Sequence, residues 1–114
     1  MDKNAHFDIE ALAMLEEIME DEFSELIQVF IIDSDPRVPA MQSAFDERNA
    51  LLLKEIAHSF KGATSNLSAL PLAEVCFNIE QKARDVDFDG IQSLISETDV
   101  EYQSVKTILL SLIK

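Results

Sequence analysis

Glycine and proline are scarce in this chain, with two glycines and three prolines in 114 residues. Tight β-hairpins draw on glycine and asparagine for their left-handed turn residues, so a sheet protein built from hairpins is a poor fit. Cysteine occurs once, at Cys76. That excludes an internal disulfide and a cysteine-based zinc site, and it suits a reducing cytoplasm, where we expect the protein to reside. Basic residues are few, 9 against 22 acidic ones, for a formal charge of −13. Nucleic acids and anionic membranes bind clustered Lys and Arg, so neither is expected as a partner. No apolar run approaches the roughly 20 residues of a membrane span. The opening "MDKNAHFDIE" lacks the apolar segment of a signal peptide.

What the chain does have is helical periodicity along nearly its whole length. Its 47% hydrophobic content suffices for one core. No repeat or low-complexity linker divides it, so residues 1–114 are expected to form one domain. A first amphipathic stretch covers Asp8 to Met19, with Asp8 as its cap and Ile9, Leu12, Leu15 and Met19 as its stripe. A second begins near Asp21. Phe30, Ser34, Val38 and Met41 keep one phase across Pro36, which favours a single long kinked helix to about Arg48 over two shorter ones. A third helix covers Ala50 to Leu67. A fourth starts at Pro71, suited to a first turn, buries Leu72, Val75, Cys76 and Ile79, and ends near Asp85. "DVDFDG" is a loop. The last helix runs from Phe88 or Gly90 to the C-terminus, with "SETDVE" as a potential interruption. The expected fold is all-α: an antiparallel four-helix bundle with a short additional N-terminal helix.

The third helix carries an unusual group. At about 100° per residue, Leu53, Ile56, Phe60, Ala63 and Leu67 fall opposite His58 and form the expected core stripe. Leu51, Lys54, Lys61, Gly62 and Ser65 share the His58 side. His58 therefore points outward. A surface histidine needs no neighbouring glycine, yet Gly62 costs a helix interior about 1 kcal/mol relative to alanine. Close approach of another protein would account for it. From Ala50 to Ala73 the ionisable residues are only Lys54, Glu55, His58 and Lys61, whereas Met1 to Asp33 holds ten acids and one lysine. An anion would be repelled by most of this surface and tolerated beside His58. A neutral imidazole nitrogen is a good nucleophile, and Lys61 stands one turn away.

"AHSFKGATSNLSA" resembles the signature of the histidine-containing phosphotransfer (HPt) domain family of phosphorelays. That pattern is loosely a histidine, two residues, Lys-Gly, a run of small residues and a Gly-Ala close. "LAEVCFNIEQKAR" resembles the family's next helix. The resemblance implies that His58 is the phosphoacceptor, that Lys61 steadies the phosphoryl group, and that Gly62, with Leu51, Lys54 and Ser65, admits a receiver domain. It implies transfer from one receiver aspartate to His58 and on to another, with a hybrid sensor histidine kinase upstream. Magnesium is expected in the receiver and no cofactor in this chain. No autonomous kinase activity is expected, since no glycine-rich phosphate loop is present. The start at Met1 and the completeness of the bundle point to a stand-alone module, and a monomer is expected. Ser68 stands where the family has glycine and is expected to shift the helix end.

Two other functions compete. A helical adaptor would use the same face without chemistry. A metal-dependent helical enzyme would need ligand clusters, but His6, His58 and Cys76 are scattered, and Glu16–Glu20 and Glu17–Asp21 lack a Glu-x-x-His partner. His6 is expected on the terminal surface and Cys76 in the core.

Overall fold

The structure is a computed structural model that describes residues 2–113. After a 3-10 turn at Lys3–Ala5 come six helices: α1 (Ile9–Met19), α2 (Glu22–Ser34), α3 (Arg37–Asp46), α4 (Ala50–Asn66), α5 (Leu70–Arg84) and α6 (Ile91–Leu112). The described residues contain no strand. Short connections make α3, α4, α5 and α6 antiparallel neighbours. α4 packs most extensively on α5, α5 and α3 also pack on α6, and α3 closes the ring against α4. α2 extends α3 and carries α1. The whole is an antiparallel four-helix bundle with a short leading helix. Its core includes Ile27, Met41, Leu53, Phe60, Leu72, Ile79, Ile91, Tyr102 and Leu109, all at most 1% exposed. Among the described residues, no helix is long and apolar enough to cross a membrane.

The segment around Pro36 is two helices rather than the one long helix expected. Pro36 and Pro39 have no N–H, so the carbonyls of Ile32 and Asp35 lose their helical donors. The backbone nevertheless stays right-handed helical at Asp35 (φ −50°, ψ −42°) and Pro36 (φ −80°, ψ −7°), which is why the phase survives. Phe30, Ser34 and Met41 are buried. Side chains pin the break. Tyr102 Oη donates to Asp35 Oδ1 at 2.6 Å, and Lys106 Nζ donates to Asp35 Oδ1 at 3.0 Å. Arg37 donates to Ser34 Oγ at 2.8 Å and to Ser59 Oγ at 3.2 Å, and lies 5.4 Å from the Phe60 ring centroid.

Three of the interhelical turns close the same way. After α3, α4 and α5 a residue adopts a left-handed backbone: Arg48 (φ 55°), Ser68 (φ 61°) and Val86 (φ 54°). The next N–H reaches back five residues in each, as in Ala69 N to Thr64 O at 3.0 Å and Asp87 N to Lys82 O at 2.8 Å. Ser68 therefore does not displace the end of α4. It adopts the conformation that glycine would, at a cost in strain.

Other expectations meet the structure with small shifts. Asp8 caps α1 by accepting from Ala11 N at 3.2 Å. α5 begins at Leu70, with Pro71 second, and α6 runs unbroken through "SETDVE", where Thr98 Oγ1 donates to Leu94 O at 2.7 Å. Cys76 is fully buried, and burial pushes its thiol up to about 12. His6 is not an open surface residue. Its side chain is 18% exposed, and Nδ1 lies 2.7 Å from Glu101 Oε2 on α6.

Candidate functional site

α4 starts at a side-chain cap, Asn49 Oδ1 accepting from Leu52 N at 3.1 Å. Its buried residues are Leu53, Ala57, Phe60 and Thr64, and Leu67 is buried just past its end. Ile56 and Ala63, expected in the core, are half-buried. The buried face is thus rotated by about 45° from the pole opposite His58, toward the flank that α5 covers. That rotation leaves His58 in the open, with 67% of its side chain exposed. It also brings Lys54 and Lys61, on the α5 side of His58, to the helix–helix seam, where both are half-buried.

The seam holds a residue to which sequence reasoning gave no role. Glu80 on α5 lies on the buried stripe of Ala73, Cys76 and Ala83, and its side chain is only 4% exposed. His58 Nδ1 lies 3.0 Å from Glu80 Oε2. An ionised carboxylate only accepts, so Nδ1–H is the donor and the lone pair of the neutral ring resides on Nε2. Arg84 Nη2 donates to the same Oε2 at 3.2 Å. Lys61 Nζ stands 3.1 Å from Oε1, an ion-pair contact rather than an aligned hydrogen bond. Burial pushes the Glu80 carboxyl up, but its contacts with Lys61 and His58 outweigh burial and hold it below the usual carboxylate range. The signal was visible in principle, as one carboxylate in an otherwise apolar helical stripe. Such a residue is seldom buried without partners.

Lys61 also differs from expectation. Its side chain is 28% exposed rather than free in solvent, and its ammonium lies 5.1 Å from the Phe77 ring centroid. Leu51 is 62% exposed, and Gly62 and Ser65 are exposed on the same outward face of α4. An added Cβ at Gly62 would meet no atom within 4 Å, so nothing in the bundle requires glycine there. Leu51 and Lys54 border Ala83, Arg84 and Val86 across the seam. Lys54, Glu55, His58, Glu80 and Arg84 line a cleft of ≈ 310 Å³. Among the described residues, no three His, Cys, Asp or Glu side chains are grouped to hold a metal ion.

The arrangement is an exposed imidazole, oriented through one nitrogen by a buried carboxylate and flanked by cations. It can offer Nε2 as a nucleophile to an anionic electrophile. Comparison with known proteins agrees with the architecture. Residues 25–107 match the profile of the family described as Hpt domain. The crystal structure of histidine-containing phosphotransfer protein B (HptB) from Pseudomonas aeruginosa PAO1 superposes with a TM-score of 0.89 at 35% identity, over 93% of this chain and 92% of that one. Histidine-containing phosphotransfer protein 2 of Arabidopsis thaliana is 23% identical over 87 residues, 74% of this chain. The chain spans about half of that relative's length, 56%. A histidine presented outward from a helical bundle, and a profile that covers most of that bundle, lead to one assignment: the chain belongs to the Hpt domain family.

Proposed function

We propose that the protein is a phosphorelay intermediate in which His58 accepts a phosphoryl group from a receiver-domain aspartate and passes it to a second receiver aspartate. One observation carries this reading: His58 is the exposed member of a His–Glu pair whose carboxylate is buried. The Nε2 lone pair forms the N–P bond while the donor's P–O bond breaks, leaving its electron pair on the aspartate oxygen. The Nδ1 proton stays on the ring. Positive charge develops on the imidazole as the bond forms, and Glu80 faces it across the Nδ1–H bond.

Lys61 holds Glu80 in place and contributes positive charge beside the transferred group. Leu51, Lys54, Gly62 and Ser65 form the surface on which the receiver settles, with Gly62 leaving room one turn from His58. Magnesium belongs to the receiver in this reading, and positioning and electrostatics do most of the catalytic work. A hybrid sensor histidine kinase upstream, a cytoplasmic location and a monomeric state complete the proposal.

The test is incubation with phosphorylated receiver domains. The wild-type chain should take up an acid-labile, base-stable label. His58→Gln should abolish it and His6→Gln should leave it intact. Persistent labelling of His58→Gln would end the proposal. Receiver binding without any label on the wild type would favour the adaptor.

A further inference from the structure

We infer that Phe77 is a positioning residue for Lys61: its ring holds the ammonium at the seam, where Glu80 alone would hold it loosely. This rests on Lys61 contributing positive charge beside the group that His58 receives. Phe77 lies on α5 three residues before Glu80, and residues so spaced are neighbours on a helix surface. Glu80 meets His58 and Lys61 with separate oxygens, Oε2 at 3.0 Å from Nδ1 and Oε1 at 3.1 Å from Nζ. The second contact is poorly aligned, since the buried Oε1 has no hydrogen-bond partner. A lysine ammonium is a point charge on a flexible four-carbon stem, so one such contact leaves it free to swing. The Phe77 ring is the second hold. Its centroid lies 5.1 Å from Lys61 Nζ, close enough for the ring face to attract the charge.

Core packing does not account for this ring. Phe77 is 42% exposed and stands outside the buried cluster to which α5 contributes Leu72, Cys76, Ile79 and Ala83. The other cations set over rings among the described residues are Arg37 on Phe60 and Arg48 on Phe45 and Phe88. Those rings belong to the core cluster or pack against it, and the guanidinium is their cover. At Lys61 the order is reversed: the ring is exposed and the lysine half-buried, so the ring covers the cation. Covering the ammonium on its open side has two effects. It removes rotamers that would carry Nζ out into solvent. It also displaces water from the Lys61–Glu80 pair, and charges attract more strongly where less water screens them. Lys61 is thereby kept one turn from His58, and Glu80 keeps the partner that offsets its burial.

Phosphoramidate is a probe that phosphorylates histidine without a receiver, which separates positioning from docking. Labelling rates with phosphoramidate and with a phosphorylated receiver are measured for the wild type, Phe77→Leu, Phe77→Tyr, Lys61→Ala and the Phe77→Leu/Lys61→Ala pair. Proton NMR of the Lys61 ε-methylene reports where the side chain stands. In the wild type its signals should be shifted upfield by the ring current, a shift lost in Phe77→Leu and kept in Phe77→Tyr. Phe77→Leu should slow labelling by both donors about two- to fivefold, the scale of one exposed cation–ring contact. Phe77→Tyr should keep the rate, and Phe77→Leu should add nothing in the Lys61→Ala background. An unshifted Lys61 methylene, or an unchanged rate in Phe77→Leu with Lys61→Ala slowed, overturns the Phe77 assignment and leaves the role of Lys61 intact. A Phe77 effect that persists without Lys61, or appears only with the receiver, also overturns it, because the ring would then act directly or in docking. Wild-type rates in Lys61→Ala remove the role of Lys61 and that of Phe77 with it. A wild type that takes no label on His58 from either donor removes the relay itself.

Discussion

Both histidines of this chain set Nδ1 against a glutamate from another segment. His6 meets Glu101 at 2.7 Å, and His58 meets Glu80 at 3.0 Å. In the first pair histidine and glutamate are equally sheltered, each side chain 18% exposed. In the second the exposure is split, 67% for the histidine and 4% for the glutamate. The first pair joins the N-terminal turn to α6 and has little surface to offer a partner. The second fixes a ring from below and leaves its far nitrogen in the open. A histidine–carboxylate pair alone is thus not the mark of a site. Uneven burial and flanking cations are.

The sharpest contrast comes from removing each carboxylate in turn. Glu80→Gln should slow phosphotransfer by roughly 10- to 100-fold, by analogy with the loss of an outer partner that orients a metal-ligating imidazole. Glu101→Gln should leave transfer unchanged and instead release the N-terminal turn, seen as faster amide exchange at residues 3–8. Equal transfer by both variants would mean that Glu80 does not orient the reaction.

Lys61 is the partner for which the His6 pair has no counterpart. Lys61→Ala leaves Glu80 buried with fewer cations, so denaturant unfolding should show a loss of roughly 1–3 kcal/mol. That is more than the near-neutral effect expected for an exposed lysine. A loss below about 0.5 kcal/mol would class it as a solvated surface charge.

Gly62 tests the openness of the His58 side. Gly62→Ala should add up to about 1 kcal/mol of stability by improving helix propensity, since the new methyl meets nothing. Gly62→Gln should stay folded yet transfer phosphate from a receiver more slowly and bind it more weakly. Transfer at the original rate would show that docking does not need the glycine.

The sequence announced the helices well because each is amphipathic and bounded by local signals, such as Asp8 and Asn49 as caps and Pro71 in a first turn. The outward face of His58 followed from phase alone. The break at Pro36 was harder, because a preserved phase masks a lost hydrogen-bond ladder when the dihedrals stay helical. Glu80, Arg84 and the half-burial of Lys61 depend on how α5 rotates against α4. That rotation joins residues about 20 apart and leaves no periodic trace in either helix. The burial of His6 has the same origin, since Glu101 lies 95 residues away.

The three left-handed turns bear on how the chain folds. None of Arg48, Ser68 and Val86 prefers φ near +55°, and for a β-branched residue such as Val86 the cost is greatest. A turn that opposes its own residue cannot lead chain reversal, and must be held by helices that have already met. Val86 is 64% exposed, so its replacement removes little packing. Val86→Gly should stabilise the protein by roughly 1–2 kcal/mol. If the turn forms late, the gain should appear in stopped-flow kinetics as slower unfolding with refolding nearly unchanged. Faster refolding would instead place the α5–α6 reversal among the first events. The bundle would then assemble from its connections inward, rather than have them drawn into shape by its core.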